Sequence, residues 1–233
     1  MVAKAKAPPF YQTGWFTAVA WFGVTLALLS PLFLVQHPQN IDLINHLARQ
    51  FVRHADDASP LHKFYEFKWL LVPYLSIDAF VELFIRFFSV YTCGKILLGT
   101  VIVIWTAAPV VLYRALWGRW SAWPLFGSLV IYNASFAWGF VAYMLTAGFA
   151  VLVFAGWVAT DKKNADKNWK RTALFSLLCF LIYCGHLFAF GLFGLMLGAY
   201  ELSKLSAAGT VTAKKFIRRA LDLAPLGDRK SVV

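Results

Sequence analysis

Thr13 to Val35 is a run of 23 residues without one charged side chain. At 1.5 Å per helical residue it matches the hydrocarbon core of a bilayer, about 30 Å thick. Such a run must lie in lipid or in a large core. The rest of the chain decides between them: 60% of its 233 residues are hydrophobic, 18% aromatic and 14% charged, with a mean hydropathy of +0.64. A soluble domain of this size cannot hide that much apolar surface. The sequence therefore describes an all-α integral membrane protein whose partner is the lipid bilayer. The first run is a retained anchor: its apolar stretch is too long for a signal peptide, and Gln36-His37-Pro38-Gln39 offers no small-residue cleavage site.

The later apolar runs give about five spans, near 13–35, 93–113, 123–136, 137–159 and 172–200, in one polytopic domain over 1–227. Residues 36–90 form a loop on one side. The net charge of +11 comes from 22 Lys and Arg against 11 Asp and Glu. These basic residues cluster between the apolar runs, which serves topology, so no nucleic-acid partner is expected. Lys4, Lys6 and the basic stretch Asp161 to Arg171 place the N-terminus in the cytoplasm and the 36–90 loop outside. One conflict follows. A single span over 172–200 would put Lys204, Lys214, Lys215, Arg218 and Arg219 outside as well. Either 172–205 is a re-entrant hairpin broken at Gly185, or the basic residues lie on an outer-surface helix. Cys93, Cys179 and Cys184 sit in or beside apolar segments with no metal spacing and read as small core residues. Residues 228–233 read as a spurious tail, and the chain as the N-terminal part of a larger membrane protein.

Within the external loop, Asn40 to His54 (NIDLINHLARQFVRH) is the first polar helical segment. At 100° per residue, Asp42, His46, Arg49 and Arg53 fall on one stripe, and Ile41, Leu43, Ile44, Leu47, Phe51 and Val52 cover the other side. Asn40 is a candidate N-cap. The stripe is open to two readings, a solvated face of an interfacial helix or an active-site row at a membrane surface. A carboxylate beside an imidazole and two guanidiniums suits a general base acting on an anionic substrate. A second interfacial helix is expected over 76–89, capped by Ser76, with Asp78, Glu82 and Arg86 as an i,i+4 ladder along it. His186 lies at the middle of 172–200, where an unpaired polar group is costly, so it should face the bundle or a wet cavity.

A first span, a long external loop with an acid just past the membrane and a juxtamembrane helix together resemble the C-type (GT-C) membrane glycosyltransferases. The segments DLINHLAR (42–49), FYEFKWLLVP (64–73) and IYNASFAWGFVAY (131–143) also look like those of uncharacterised bacterial multi-span proteins of that type. The resemblance covers roughly residues 13–205. It implies residence in a bacterial inner (plasma) membrane and transfer of a sugar from a polyprenyl-phosphate donor on its outer face. Asp42 then stands where the family carries its loop acid, as base or metal ligand. The acid pair of many members is absent, since Asp42 is flanked by Ile41 and Leu43, and the later helices of a full module are missing.

On that reading Asp42 takes the acceptor proton, and His46 orients it or shares a divalent cation, Mn or Mg, with it. Arg49, Arg53, Lys68 and His186 are candidates to compensate the leaving phosphate. Two other functions remain open: a small-solute or proton-coupled transporter subunit with His186 and Asn133 along its path, and a non-catalytic membrane assembly subunit. The sequence leaves the oligomeric state open.

Overall fold

The computed structural model describes residues 9–36, 38, 40–66, 68, 70, 72–161 and 169–207. The basic residues 162–168, those at 214–219 and the tail 228–233, all used in reading topology and chain end, lie outside the described residues.

Among the described residues the fold is all helical. The α-helices are α1 (Gly14–Leu34), α2 (Ile41–Arg53), α3 (Ser76–Phe84), α4 (Val90–Trp117), α5 (Ala134–Trp138), α6 (Val141–Asp161), α7 (Trp169–Gly185) and α8 (Leu187–Ala207). Four of them, α1, α4, α6 and α8, are long and apolar enough to cross a membrane. With α7, 17 residues and roughly 25 Å long, they make five long helices. The protein is an all-α membrane protein, as its composition requires.

Two of the spans differ from the sequence reading. Residues 123–136 do not form an α-helical span. Trp123–Val130 is a 3-10 helix followed by the short α5. This stretch climbs along α1: Tyr11 meets Trp123 edge-on, and Tyr132 donates its hydroxyl proton to the Leu28 carbonyl. Pro124 and Gly127 explain the absence of a long helix, because one removes a backbone donor and the other adds backbone freedom.

The second difference is at 172–200, which is not one span. It breaks after Gly185, and α7 and α8 run as an antiparallel hairpin. The far ends of both helices meet the end of α6. Lys204 Nζ lies 2.6 Å and Arg171 Nη2 3.7 Å from the Asp161 carboxylate, and the Arg171 guanidinium also stacks over Trp157 at 3.8 Å. The hairpin returns Lys204 to the Asp161 end, which resolves the charge conflict for that residue. A Cβ on Gly185 would lie 2.7 Å from Thr146, so only glycine lets α7 approach α6 there. The last α7 carbonyls are satisfied from outside the helix. Leu75 N–H donates to Cys184 O at 3.0 Å, and Ser76 Oγ donates to Gly185 O at 3.2 Å. Ser76 is therefore committed to α7 and does not cap α3, whose N-cap position is Leu75.

The described helices pack around two clusters of buried residues, one among α1 to α6 and one among α6, α7 and α8. Leu97, Leu98, Val101 and Ile102 of α4 are fully buried against Ile77 and Val81 of α3 and Val141 and Met144 of α6. On the α2 side, Leu43 is buried and Leu47 packs over Gly94, contributing about 1.5–3 kcal/mol for a fully buried leucine. Of the rest of the α2 apolar face, Ile41, Ile44 and Phe51 stay exposed and Val52 is half-buried. That is the expected form of a helix lying at a membrane surface. Asn40 stands at the N-cap position but does not cap. Its buried side-chain amide donates to the Phe136 carbonyl instead, tying α2 to α5.

Candidate functional site

The row on α2 divides along its length. At its C-terminal half, Arg49 pairs with Asp78 of α3, and Gln50 donates to the same carboxylate. Asp78 is only 4% exposed, so this carboxylate lies within the protein and is satisfied by both partners. One turn on, Arg53 Nη2 lies 2.7 Å and His54 Nε2 3.5 Å from Glu82. The expected ladder along α3 is therefore a bridge between helices: Asp78 and Glu82 hold the guanidiniums of α2. Gln50, wholly buried, went unread because it falls outside the charged stripe.

At the N-terminal half the same helix faces a cavity of about 880 Å³. Asp42 and His46, one helical turn apart, line it with His46 Nε2 3.3 Å from Asp42 Oδ2. Their side chains are 43% and 19% exposed, so the carboxylate is reachable and the imidazole largely enclosed. His186, in the turn between α7 and α8, lines the same cavity and is 7% exposed. The hairpin thus carries it to the α2 end, away from mid-depth. Burial pushes the His186 imidazole below its ordinary value and favours the neutral ring. The Phe188 amide donates to its Nδ1 at 3.2 Å, which leaves Nε2 as the protonated nitrogen of the neutral form.

Three aromatic and polar residues that the sequence did not flag complete the polar end: Tyr74, Tyr143 and Ser135. Tyr74 and Tyr143 meet the His186 ring with centroids at 4.4 and 5.4 Å. Tyr74 has a backbone φ of 84°, left-handed for a bulky residue, which costs about 1–2 kcal/mol. No sequence signal marks it, since the left-handed region is usually betrayed by glycine or asparagine. Ser135 lies within the segment 131–143 already singled out. Gly139, with φ 83°, closes the α5 side. A Cβ there would stand 2.7 Å from the Leu43 amide nitrogen and 2.8 Å from that of Asp42. Glycine at this position is what lets the chain leaving α5 press on the first turn of α2 and fix Asp42.

The other wall is apolar and built by α8, from Leu187, Phe188, Gly191, Leu192 and Leu195. Phe188 and Leu195 are 72% and 70% exposed while lining the cavity, so the cavity is continuous with the lipid-facing surface of α8.

The remaining candidates lie elsewhere. Lys68 pairs with Glu66 at 3.0 Å on an exposed part of the loop and does not line the cavity. Arg49 and Arg53 do not line it either. Asn133 accepts the Phe136 amide and caps α5. Among the described residues no group of three or more His, Cys, Asp or Glu is placed to hold a metal ion. Asp42 and His46 supply two donors, so a divalent cation between them would draw its other ligands from substrate oxygens and water, as Mg²⁺ commonly does. No family model, no curated protein and no solved structure matches the chain.

Proposed function

We propose that the chain is a membrane glycosyltransferase of the GT-C type, with the cavity beneath α2 as its acceptor site and a polyprenyl-phosphate-linked sugar as donor. One observation carries this reading: the Asp42 and His46 pair opens into a large cavity whose opposite wall is lipid-facing. Asp42 takes the proton of an acceptor hydroxyl as that oxygen bonds to the anomeric carbon of the sugar. The anomeric carbon–phosphate bond breaks at the same time, and its electron pair leaves on the polyprenyl phosphate. His46 orients the carboxylate and supports its charge. A divalent cation at this pair would add charge compensation for the donor phosphate. Arg49 and Arg53 act as positioning residues that hold α2 against α3. The N-terminus lies in the cytoplasm and the cavity opens on the outer face of a bacterial inner membrane.

The test is transfer itself. The chain, reconstituted in proteoliposomes, is given a polyprenyl phosphate carrying a radiolabelled sugar and a mixed lipid extract as acceptor. Label moving into a new lipid-extractable product supports the reading. Label retained on the donor, in vesicles where the protein is folded, contradicts it.

A further inference from the structure

We infer that the cavity takes an uncharged single-chain amphiphile with a hydroxyl head, and that this is the acceptor class of the proposed transfer. The inference rests on that transfer for the word acceptor, while the binding it describes stands on the cavity alone.

Charge is the first ground. Among the described residues no Lys or Arg lines the cavity, and the formal charge of that lining is the Asp42 carboxylate. The nearest guanidiniums on the same helix, Arg49 and Arg53, are directed to Asp78 and Glu82. An acceptor that itself carried a phosphate would add a further anion beside Asp42 and the donor phosphate, with no Lys or Arg among the described lining residues to compensate it.

Hydrogen-bond polarity is the second ground. Asp42 offers acceptors. His186, with Nδ1 taken by the Phe188 amide, retains a donor at Nε2. A hydroxyl donates once and accepts twice, so it satisfies both kinds of group.

Shape is the third. The polar groups gather where α2, Tyr74 and the α7–α8 turn meet, and from there Leu187, Leu192 and Leu195 continue along α8. The volume, about 880 Å³, lies within the usual range for a site that encloses one ligand. Because Phe188 and Leu195 are also exposed to lipid, a chain can enter sideways from the bilayer with its head reaching Asp42.

The test uses a diazirine-bearing hexadecanol and the chain in phosphatidylcholine vesicles, with cross-linked peptides read by mass spectrometry. Labelling should concentrate on residues 187–195 and saturate. Unlabelled hexadecanol should compete it at least about tenfold better than hexadecyl phosphate at equal membrane fraction. Leu192→Trp, which fills the cavity, should abolish that labelling while circular dichroism stays that of the parent. Equal or better competition by hexadecyl phosphate, or labelling spread evenly over the lipid-facing helices, overturns the assignment. A chain that binds hexadecanol in this way but transfers no sugar keeps the assignment and loses the proposed reaction. A chain that transfers sugar while its cavity prefers the phosphate does the reverse.

Discussion

Tyr74 and His186 meet edge to face with ring centroids 4.4 Å apart, joining the loop that leads into α3 to the turn between α7 and α8. Tyr74 holds this position at φ 84°. Glycine relieves a left-handed backbone that alanine does not. Tyr74→Gly should therefore be more stable than Tyr74→Ala by about 1 kcal/mol. That is opposite in sign to the usual penalty for glycine in a chain. Thermal unfolding in detergent measures the difference, and an alanine variant equal to or above the glycine one would remove the strain argument.

His186 should make stability depend on pH in a definite direction. Its folded value lies below the ordinary 6.5. Between those two values the unfolded chain binds more protons than the folded one. Stability is then fully present above about pH 6.5 and falls as pH drops through that window. His186→Asn keeps an acceptor for the Phe188 amide and removes the titration. The loss of unfolding midpoint between about pH 7.5 and 5.5 should be smaller in His186→Asn than in the parent. Identical losses would show that the ring does not titrate against burial.

The pairing of α2 with α3 predicts coupling. Arg49→Ala and Asp78→Ala, alone and together, should give an interaction energy of about 0.5–3 kcal/mol. Asp78→Ala should be the more damaging single change, because it leaves a partly buried guanidinium and the buried Gln50 amide without their acceptor. Additive effects, with no coupling, would return Arg49 to the list of residues free to meet substrate.

The hairpin at Gly185 predicts a topology. With Cys93, Cys179 and Cys184 replaced by alanine, a cysteine introduced at Ser59 should react with an impermeant thiol reagent from outside the cell. One at Ser203 should react only from the cytoplasm. Labelling of both from the same side would restore a single span over 172–200.

Much of this architecture was legible in the sequence. Bilayer-length apolar runs fix α1, α4 and α6, because only a helix satisfies its own backbone in lipid. The amphipathic stretch 41–54 appears as α2, which ends one residue earlier, at Arg53. What could not be read is what depends on a distant partner. Asp78 and Glu82 form an i,i+4 pair in sequence, and nothing local says that their partners are Arg49 and Arg53 on another helix. His186 was visible as a costly polar residue, but its depth depended on whether the helix breaks at Gly185. Asn40 has the composition of a cap, yet the Phe136 carbonyl takes its amide. Asp42 and His46 were read together and stand together, while the arginines beyond them on the stripe serve a different surface.

The central claim is that Asp42 is the base of the cavity, and Asp42→Asn tests it most directly. The change keeps the size of the side chain and removes the proton acceptor. In the proteoliposome transfer assay, Asp42→Asn should lower turnover by about 10²–10⁴-fold, while saturable labelling of residues 187–195 by the hexadecanol probe persists. Transfer by Asp42→Asn at the parent rate would contradict the account.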